Sequence, residues 1–545
     1  MRRWFGGAPA LLLGILLAVS LLGYFAYTGL TEVRPDYGGR YVEGVAGGPM
    51  ALNPLLAQFN DADRDVTSLL FRGLTSLGPD GQVLPDMAER WDVSSDGRTY
   101  TFVLREGARW HDGVPLTADD VVFTFQTVQH PNFPGSPDLA AFWKDITITK
   151  KDELTVQFTL PQPFAPFPSY VSLGLVPVHL LRETPVKDLA TAEFNSRPIG
   201  TGPFRLVEAL VDRMVLRANS DYVLSQPYLR EIEIQFFPDD QALATALLEQ
   251  RIDGALLRPV LPADQIERLR QNGAWQVLQP LRTSYTAVFL NASIPLFQDQ
   301  AVRQALLHAV DRTQLVREVL ADQGRVADSP VPLDTWAHAE TLPSYPFAPE
   351  QAASLLESAG WQLTGSGVRQ KDGKDLRFTL ITNDDPTRVA VGQFVVNAWR
   401  RVGVQADLAT VSPAALLQNY LIPRRYDAVL YGLDTGYDPD AYPVWHSTQR
   451  GEDGLNIAAY ASKTLDTVLE EGRQAKDQEV RRRLYRDFQQ AFLEELPSLP
   501  LYQPRYTYVL ARRVQGVQVG ALFETSSRFV NIHEWFTETM RVWKR

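Results

Sequence analysis

From residue 290 onward the apolar residues switch between two periodicities, and this alternation limits the fold more than any other feature. Asp299 precedes a segment whose Val302, Ala305, Leu306, Ala309 and Val310 fall on one helical face, with Asp299 placed to cap it. Residues 349–359 read as a second helix ended by Gly360, a favoured residue just past a helix. Residues 376–382 read as a strand. Residues 387–402 follow as a helix with Val391, Phe394, Val395, Ala398, Trp399 and Val402 on one face. Residues 426–431 are again a strand, and 464–496 read as one long helix stopped by Pro497. Strand–helix–strand alternation predicts a largely parallel sheet covered by helices, so the fold class is α/β.

Residues 38–237 have a different texture, dominated by strands. Thr99 to Leu104 alternate, with Tyr100, Phe102 and Leu104 on one face. Residues 146–149 and 154–158 form a hairpin pattern around Lys150 to Glu153. Thr117 and Asp120 precede a helical run starting at Val121, the pattern of a capped helix start. The prolines of residues 161–168 predict an irregular or extended stretch. No internal repeat is present, and the two textures predict two lobes.

Composition narrows the chemistry. There are 53 Lys+Arg against 64 Asp+Glu, a net charge of −11, which argues against nucleic acid as a partner because phosphate neutralisation needs basic patches. There is no cysteine, so disulfides, zinc ribbons, iron–sulfur clusters, cysteine nucleophiles and cysteine lipidation are all excluded. At the N-terminus, Arg2 and Arg3 precede an uncharged run from residue 4 to 31. Roughly 20 apolar residues span a bilayer, and positive charge before the run places the bulk of the chain outside the cell. The alternative is a cleaved signal peptide with Ala18-Val19-Ser20 as its small-residue site. Leu21, Leu22, Tyr24, Phe25 and Tyr27 carry the apolar run past that site, which favours an uncleaved anchor.

Catalytic motifs are missing. Gly200-Thr201-Gly202 lacks dinucleotide spacing, and there is no phosphate-loop or Gly-x-Ser-x-Gly sequence. The histidines at 111, 130, 179, 308, 338, 446 and 533 form no ligand-like pairs. Asp434, Asp438 and Asp440 lack the glycine and distal glutamate of a calcium loop. The expectation is therefore no enzyme, no metal and no cofactor.

Several stretches carry a resemblance. Asp96-Gly97-Arg98-Thr99-Tyr100-Thr101-Phe102 runs on to Trp110-His111-Asp112-Gly113 and Pro115-Leu116-Thr117-Ala118-Asp119-Asp120-Val121. Pro198-Ile199-Gly200-Thr201-Gly202-Pro203-Phe204, Ala301-Val302-Arg303-Gln304-Ala305-Leu306 and Tyr437-Asp438-Pro439-Asp440 follow in order. Together they resemble the family 5 extracellular solute-binding proteins, which serve peptide/nickel-type ABC importers. Read without the resemblance, Trp91, Trp110, Phe102 and Phe123 are core residues and Asp96-Gly97 and Asp112-Gly113 are turns, which makes His111 a turn residue rather than a nickel ligand.

The resemblance implies a two-lobed periplasmic-binding-protein-like clamshell (type II), preceded here by one N-terminal transmembrane helix. The expected divisions are residues 1–36 as anchor or signal, 37–285 as lobe I with an extra subdomain at about 81–189, 286–505 as lobe II, and 506–545 returning to lobe I. Crossings near 281–291 and 503–510 would form the hinge. The implied function is extracytoplasmic binding of an oligopeptide or similar small solute for delivery to ABC permease subunits, with the N-terminal helix in the membrane. A sugar- or metal-chelate-binding protein of the same family, and a ligand sensor without transport, stay open as alternatives. In peptide-binding relatives an aspartate just before the tyrosine captures the peptide's amino group; Gly436 stands there in this chain. Asp438, followed by proline, is expected to cap a helix, which leaves Asp434 to meet a cation. Tyr431, Tyr437 and Trp445 are its candidate walls, and Asn291 and Trp336 are further cleft candidates.

Overall fold

The computed structural model describes residues 28–258, 263–436 and 438–544, with five isolated earlier positions, Leu13, Leu16, Leu17, Ser20 and Leu21. Two main sheets organise these residues. The first has seven strands in the order Trp275–Leu278, Thr507–Ala511, Gly254–Leu257, Gly38–Ala46, Leu229–Phe237, Arg213–Ala218 and Phe204–Ala209. The pairings on either side of Gly38–Ala46 are parallel and the others antiparallel. The second has six strands in the order Gly324–Val326, Ser498–Pro504, Ser284–Leu290, Ala428–Asp434, Arg377–Asn383 and Gln405–Val411. Each sheet backs onto its own apolar core, giving two lobes.

The second sheet is mixed rather than largely parallel. Arg377–Asn383 runs parallel to both of its neighbours, but Ser284–Leu290 is antiparallel to both of its own. The reason is topological. The chain enters this lobe on Ser284–Leu290 and leaves it on Ser498–Pro504, side by side, so the two strands must run in opposite directions. The helices fall where the apolar spacing put them. Asp299 accepts from the Ala301 N–H at the start of Gln300–His308, and Val302, Ala305 and Leu306 are buried. Helix Pro349–Ser358 ends before Gly360, whose φ is +89°. The expected long helix at 464–496 is two helices, Lys463–Gln474 and Gln478–Glu495. Ala475 is extended and Asp477 caps the second helix by accepting from the Val480 N–H.

An inserted four-stranded antiparallel sheet, Ala88–Val93, Thr99–Leu104, Thr155–Thr159 and Thr147–Lys150, extends the first lobe. Helix Ala118–Gln129 packs over it, and its Asp120 carboxylate accepts from the Thr117 and Val178 N–H groups. Its core is aromatic: Phe125 lies 4.1 Å from Trp143 and 5.4 Å edge-on to Phe158, all fully buried. Such pairs add about 0.5–1.5 kcal/mol each beyond area burial. The proline-rich stretch is not wholly extended, because it closes in a helical turn, Phe167–Tyr170. Strand Thr31–Asp36 pairs antiparallel with Glu538–Trp543, a contact between segments some 500 residues apart. Among the described residues no helix is long and apolar enough to cross a membrane. The expected spanning run, residues 4–31, lies almost wholly outside them.

Gly200 and Gly202 dock the insertion onto the first lobe. A Cβ at Gly200 would stand 1.8 Å from the Leu70 carbonyl oxygen, and one at Gly202 would stand 2.5 Å from that of Leu69, so only glycine fits against the end of helix Asp61–Leu70. His111 completes the join: its Nδ1 accepts from the Gly200 N–H at 3.2 Å and its Nε2 donates to the Gly202 carbonyl at 3.1 Å. Both ring nitrogens are committed to backbone, which fixes one neutral tautomer. Burial lowers the imidazole pKa to about 4. Between about pH 6.5 and 4 the unfolded chain therefore binds a proton that the folded chain does not, so stability falls as pH falls through that window. Urea unfolding at pH 7 and pH 5 is expected to show a loss of up to about 2 kcal/mol attributable to this group. His111→Gln should flatten that part of the pH dependence, and an unchanged pH profile in the variant would refute the assignment.

Candidate functional site: a cavity between the lobes

Two crossings connect the lobes and run as an antiparallel pair. The Arg282 N–H donates to the Pro504 carbonyl at 2.9 Å and the Tyr506 N–H to Pro280 at 3.0 Å. The C-terminal segment adds a third chain, with Thr283 donating to Leu522 and Leu522 to Leu281 at 2.9 and 2.7 Å. Buried Gln503 ties the crossing down, donating to the Arg282 carbonyl at 2.6 Å and accepting from the Leu333 N–H at 2.9 Å.

Beside this hinge lies a cavity of about 690 Å³. Lobe I lines it with residues 54–86, 169–174 and 520–530, and lobe II with residues 283–285, 330–335 and 433–455. The segment after strand Ala428–Asp434 emerges at the strand's carboxyl end and forms much of the lobe II wall, where α/β sheets bind ligands.

The expected site residues distribute unevenly. Asp434 and Trp445 line the cavity. Trp445 is buried, stacked on Phe289 at 5.7 Å and edge-on to Phe492 at 4.7 Å, so it is a rigid wall. Asp434 is not a free carboxylate: its Oδ1 accepts from the Arg282 guanidinium at 2.9 Å. Tyr431 packs against the lobe II core and is not among the lining residues. Asn291 lies away from the cavity, its amide donating to the Arg424 and Tyr426 carbonyls at 3.0 and 2.8 Å. Trp336 packs on Tyr485 and under the Arg481 guanidinium, behind the wall. Tyr437 lies outside the described residues.

Asp438 is not a helix cap. Its two oxygens accept from Arg481 at 2.8 and 2.7 Å, with both side chains less than a tenth exposed. The following helix starts at Tyr442, and its first N–H is taken by Asp440 at 3.2 Å. Asp440 also pairs with Arg473 at 2.7 Å, and burial raises its carboxyl above the usual range against that attraction. Sequence reasoning missed these arginines, because Asp438–Arg481 and Asp440–Arg473 pair across more than thirty residues. It also missed Tyr170, which stacks on Phe142 at 4.0 Å, and the wall formed by the C-terminal return.

The lobes also touch away from the hinge. The Lys476 ammonium donates to the Ser94 and Ser95 carbonyls of the insertion, and the Ala165 N–H donates to the Arg473 carbonyl at 2.7 Å. The Arg473 guanidinium lies 4.0 Å from the Tyr442 ring centroid and 5.3 Å from that of Phe164, one ring from each lobe. These contacts hold the break between the two long helices against the Asp96-Gly97 turn.

Three outcomes follow from this geometry. Asp438→Ala strands the buried Arg481 charge and should cost about 3–5 kcal/mol in chemical denaturation. Asp434→Ala removes an exposed partner and should cost at most about 1 kcal/mol; equal losses would contradict the two environments. Lys476→Ala removes a contact made only when the lobes touch. It should leave the unfolding midpoint unchanged, enlarge the radius of gyration by X-ray scattering and weaken ligand binding roughly fivefold, the equivalent of about 1 kcal/mol.

The architecture has known counterparts. The family model described as bacterial extracellular solute-binding proteins, family 5 Middle, matches residues 82–454. The chain is 32% identical over 484 residues to protein XP55 of Streptomyces lividans, covering 87% of this chain and 85% of that one. It is 29% identical over 512 residues to the oligopeptide-binding protein AppA of Bacillus subtilis, covering 92% of each. The crystal structure of NikZ from Campylobacter jejuni in complex with Ni(L-His) superposes with a TM-score of 0.69 at 28% identity, covering 91% of this chain and 99% of that one. The two lobes, the cavity at their hinge and these matches lead to one conclusion: the chain belongs to the bacterial extracellular solute-binding proteins of family 5.

Proposed function

We propose that the chain binds an oligopeptide or similar solute between its lobes and hands it to an ABC permease on the outer face of the membrane. The observation that carries this reading is the cavity of about 690 Å³ walled by both lobes beside paired crossings. That volume falls in the range of sites that bury most of a small ligand. Closure about the hinge would couple occupancy to shape, which a permease can read. Backbone amides of a peptide would meet a wall rich in serine and threonine, including Ser169, Ser172 and Thr283. Arg2, Arg3 and the apolar run at residues 4–31 support a reading in which the N-terminal segment holds the protein at the membrane. A metal chelate or a sugar is the second reading of the ligand; the likeness to NikZ favours the chelate.

Ligand screening by thermal shift and X-ray scattering tests this. A peptide at about 100 times its dissociation constant should add roughly 2.7 kcal/mol of stability and shrink the radius of gyration. Oligosaccharides and nickel chelates should do neither. Stabilisation by sugars with none by di- to decapeptides would sink the peptide reading.

A further inference from the structure

Among the described residues seven carboxylates line the cavity, and six of them already stand within 4.0 Å of an arginine. Asp434, Asp438 and Asp440 are paired as described above, and Asp86 accepts from Arg72 Nε at 2.7 Å. Glu524 and Asp334 lie 3.5 and 4.0 Å from Arg64 and Arg325. The seventh, Asp80, is exposed in a turn, where its Oδ1 accepts from the Gln82 N–H at 3.1 Å. At six of these carboxylates an ammonium group would compete with a guanidinium already in place, while Asp80 would meet it without such competition.

Some buried polar atoms of lining residues make no hydrogen bond, Asp86 Oδ1 and Arg64 Nε among the charged ones, and two neutral groups stand with them. The Thr283 hydroxyl and the Gln58 amide oxygen belong to lining residues, are buried, and make no hydrogen bond. The Tyr285 hydroxyl, on a side chain 2% exposed, lies beside the Trp445 indole. Leaving such groups unpaired costs about 1–3 kcal/mol each, a cost relieved where lobe closure and side-chain rotation bring them against a ligand's own donors and acceptors. Hydroxyl donors on the lobe II side and an amide acceptor on the lobe I side match a solute whose polar groups are uncharged N–H, C=O and O–H.

We infer that this cavity recognises its solute through neutral amide or hydroxyl groups and not through a free ammonium. The inference rests on the solute-binding reading above. For a peptide, the bound portion is an internal stretch or one with a blocked amino end, held by its backbone amides, and the arginine pairs serve to keep the wall from attracting cations.

Calorimetry on the full-length protein in detergent tests this with matched pairs: tetra-alanine and N-acetyl-tetra-alanine, and the glucosamine tetramer and its N-acetylated form. In whichever pair binds, the acetylated member should bind within threefold of the free amine, or tighter. A tenfold or greater loss on acetylation overturns the inference. Binding of the sugar pair alone would sink the peptide reading, while the ratio within that pair would still decide this inference. Arg282→Met should release Asp434 and give the free-amine member an advantage of at least tenfold. An unchanged ratio in that variant would show that the arginines are not what excludes the ammonium.

Discussion

Arg528 is the group on which the construction of the site depends. It is 1% exposed and donates to Glu43 at 2.8 Å and to Asp65 at 2.9 and 2.7 Å, with Tyr41 and Tyr508 hydroxyls closing the cluster. Burying charges costs several kcal/mol per ion unless geometry compensates, and here each carboxylate meets the guanidinium directly. Burial still pushes the Glu43 carboxyl up, with Arg528 pulling it down. The cluster joins strand Gly38–Ala46, helix Asp61–Leu70 and strand Thr507–Ala511 to the segment at residues 520–530. That segment is a wall of the cavity and the third chain at the hinge, so one buried arginine fixes both.

How much of this was legible depends on the range of the interaction. Features set within a few residues read directly: Asp299 as a cap, Gly360 past a helix end, the Tyr100–Phe102–Leu104 face and the hairpin at residues 147–159. The break at Ala475–Asp477 was missed because apolar spacing carries across it, although Asp477 is an ordinary capping residue. Asp438 next to Pro439 has the local form of a cap, and its partner Arg481 is 43 positions away. Asp434 looked free for the same reason, its partner Arg282 being 152 positions away. Asn291 and Trp336 are polar or amphipathic residues near the crossings, and both are consumed by internal contacts. The motifs that identified the family, such as Trp110-His111-Asp112-Gly113 and Gly200-Thr201-Gly202, turn out to hold each other, so they report the docking of the insertion and not the ligand.

The cavity takes its character from this division of labour. Long-range arginine pairs neutralise most of its acidic wall, aromatic walls such as Trp445 and Tyr170 are held by stacking, and the Thr283 hydroxyl and the Gln58 amide oxygen are left without partners.

The order of strands in the first sheet has a consequence for how the chain acquires its structure. Thr507–Ala511 lies between Trp275–Leu278 and Gly254–Leu257, so a strand made near the end of the chain occupies an interior place in the sheet. The second sheet draws all its strands from residues 284–504 and is complete once they are present. As the chain emerges from its amino end, the second lobe can assemble while the first still carries an unfilled gap with unpaired edges, the kind of surface that invites wrong partners. Residues 507–528 then insert a strand and deliver Arg528 to its two carboxylates, long-range contacts of the kind that form slowly.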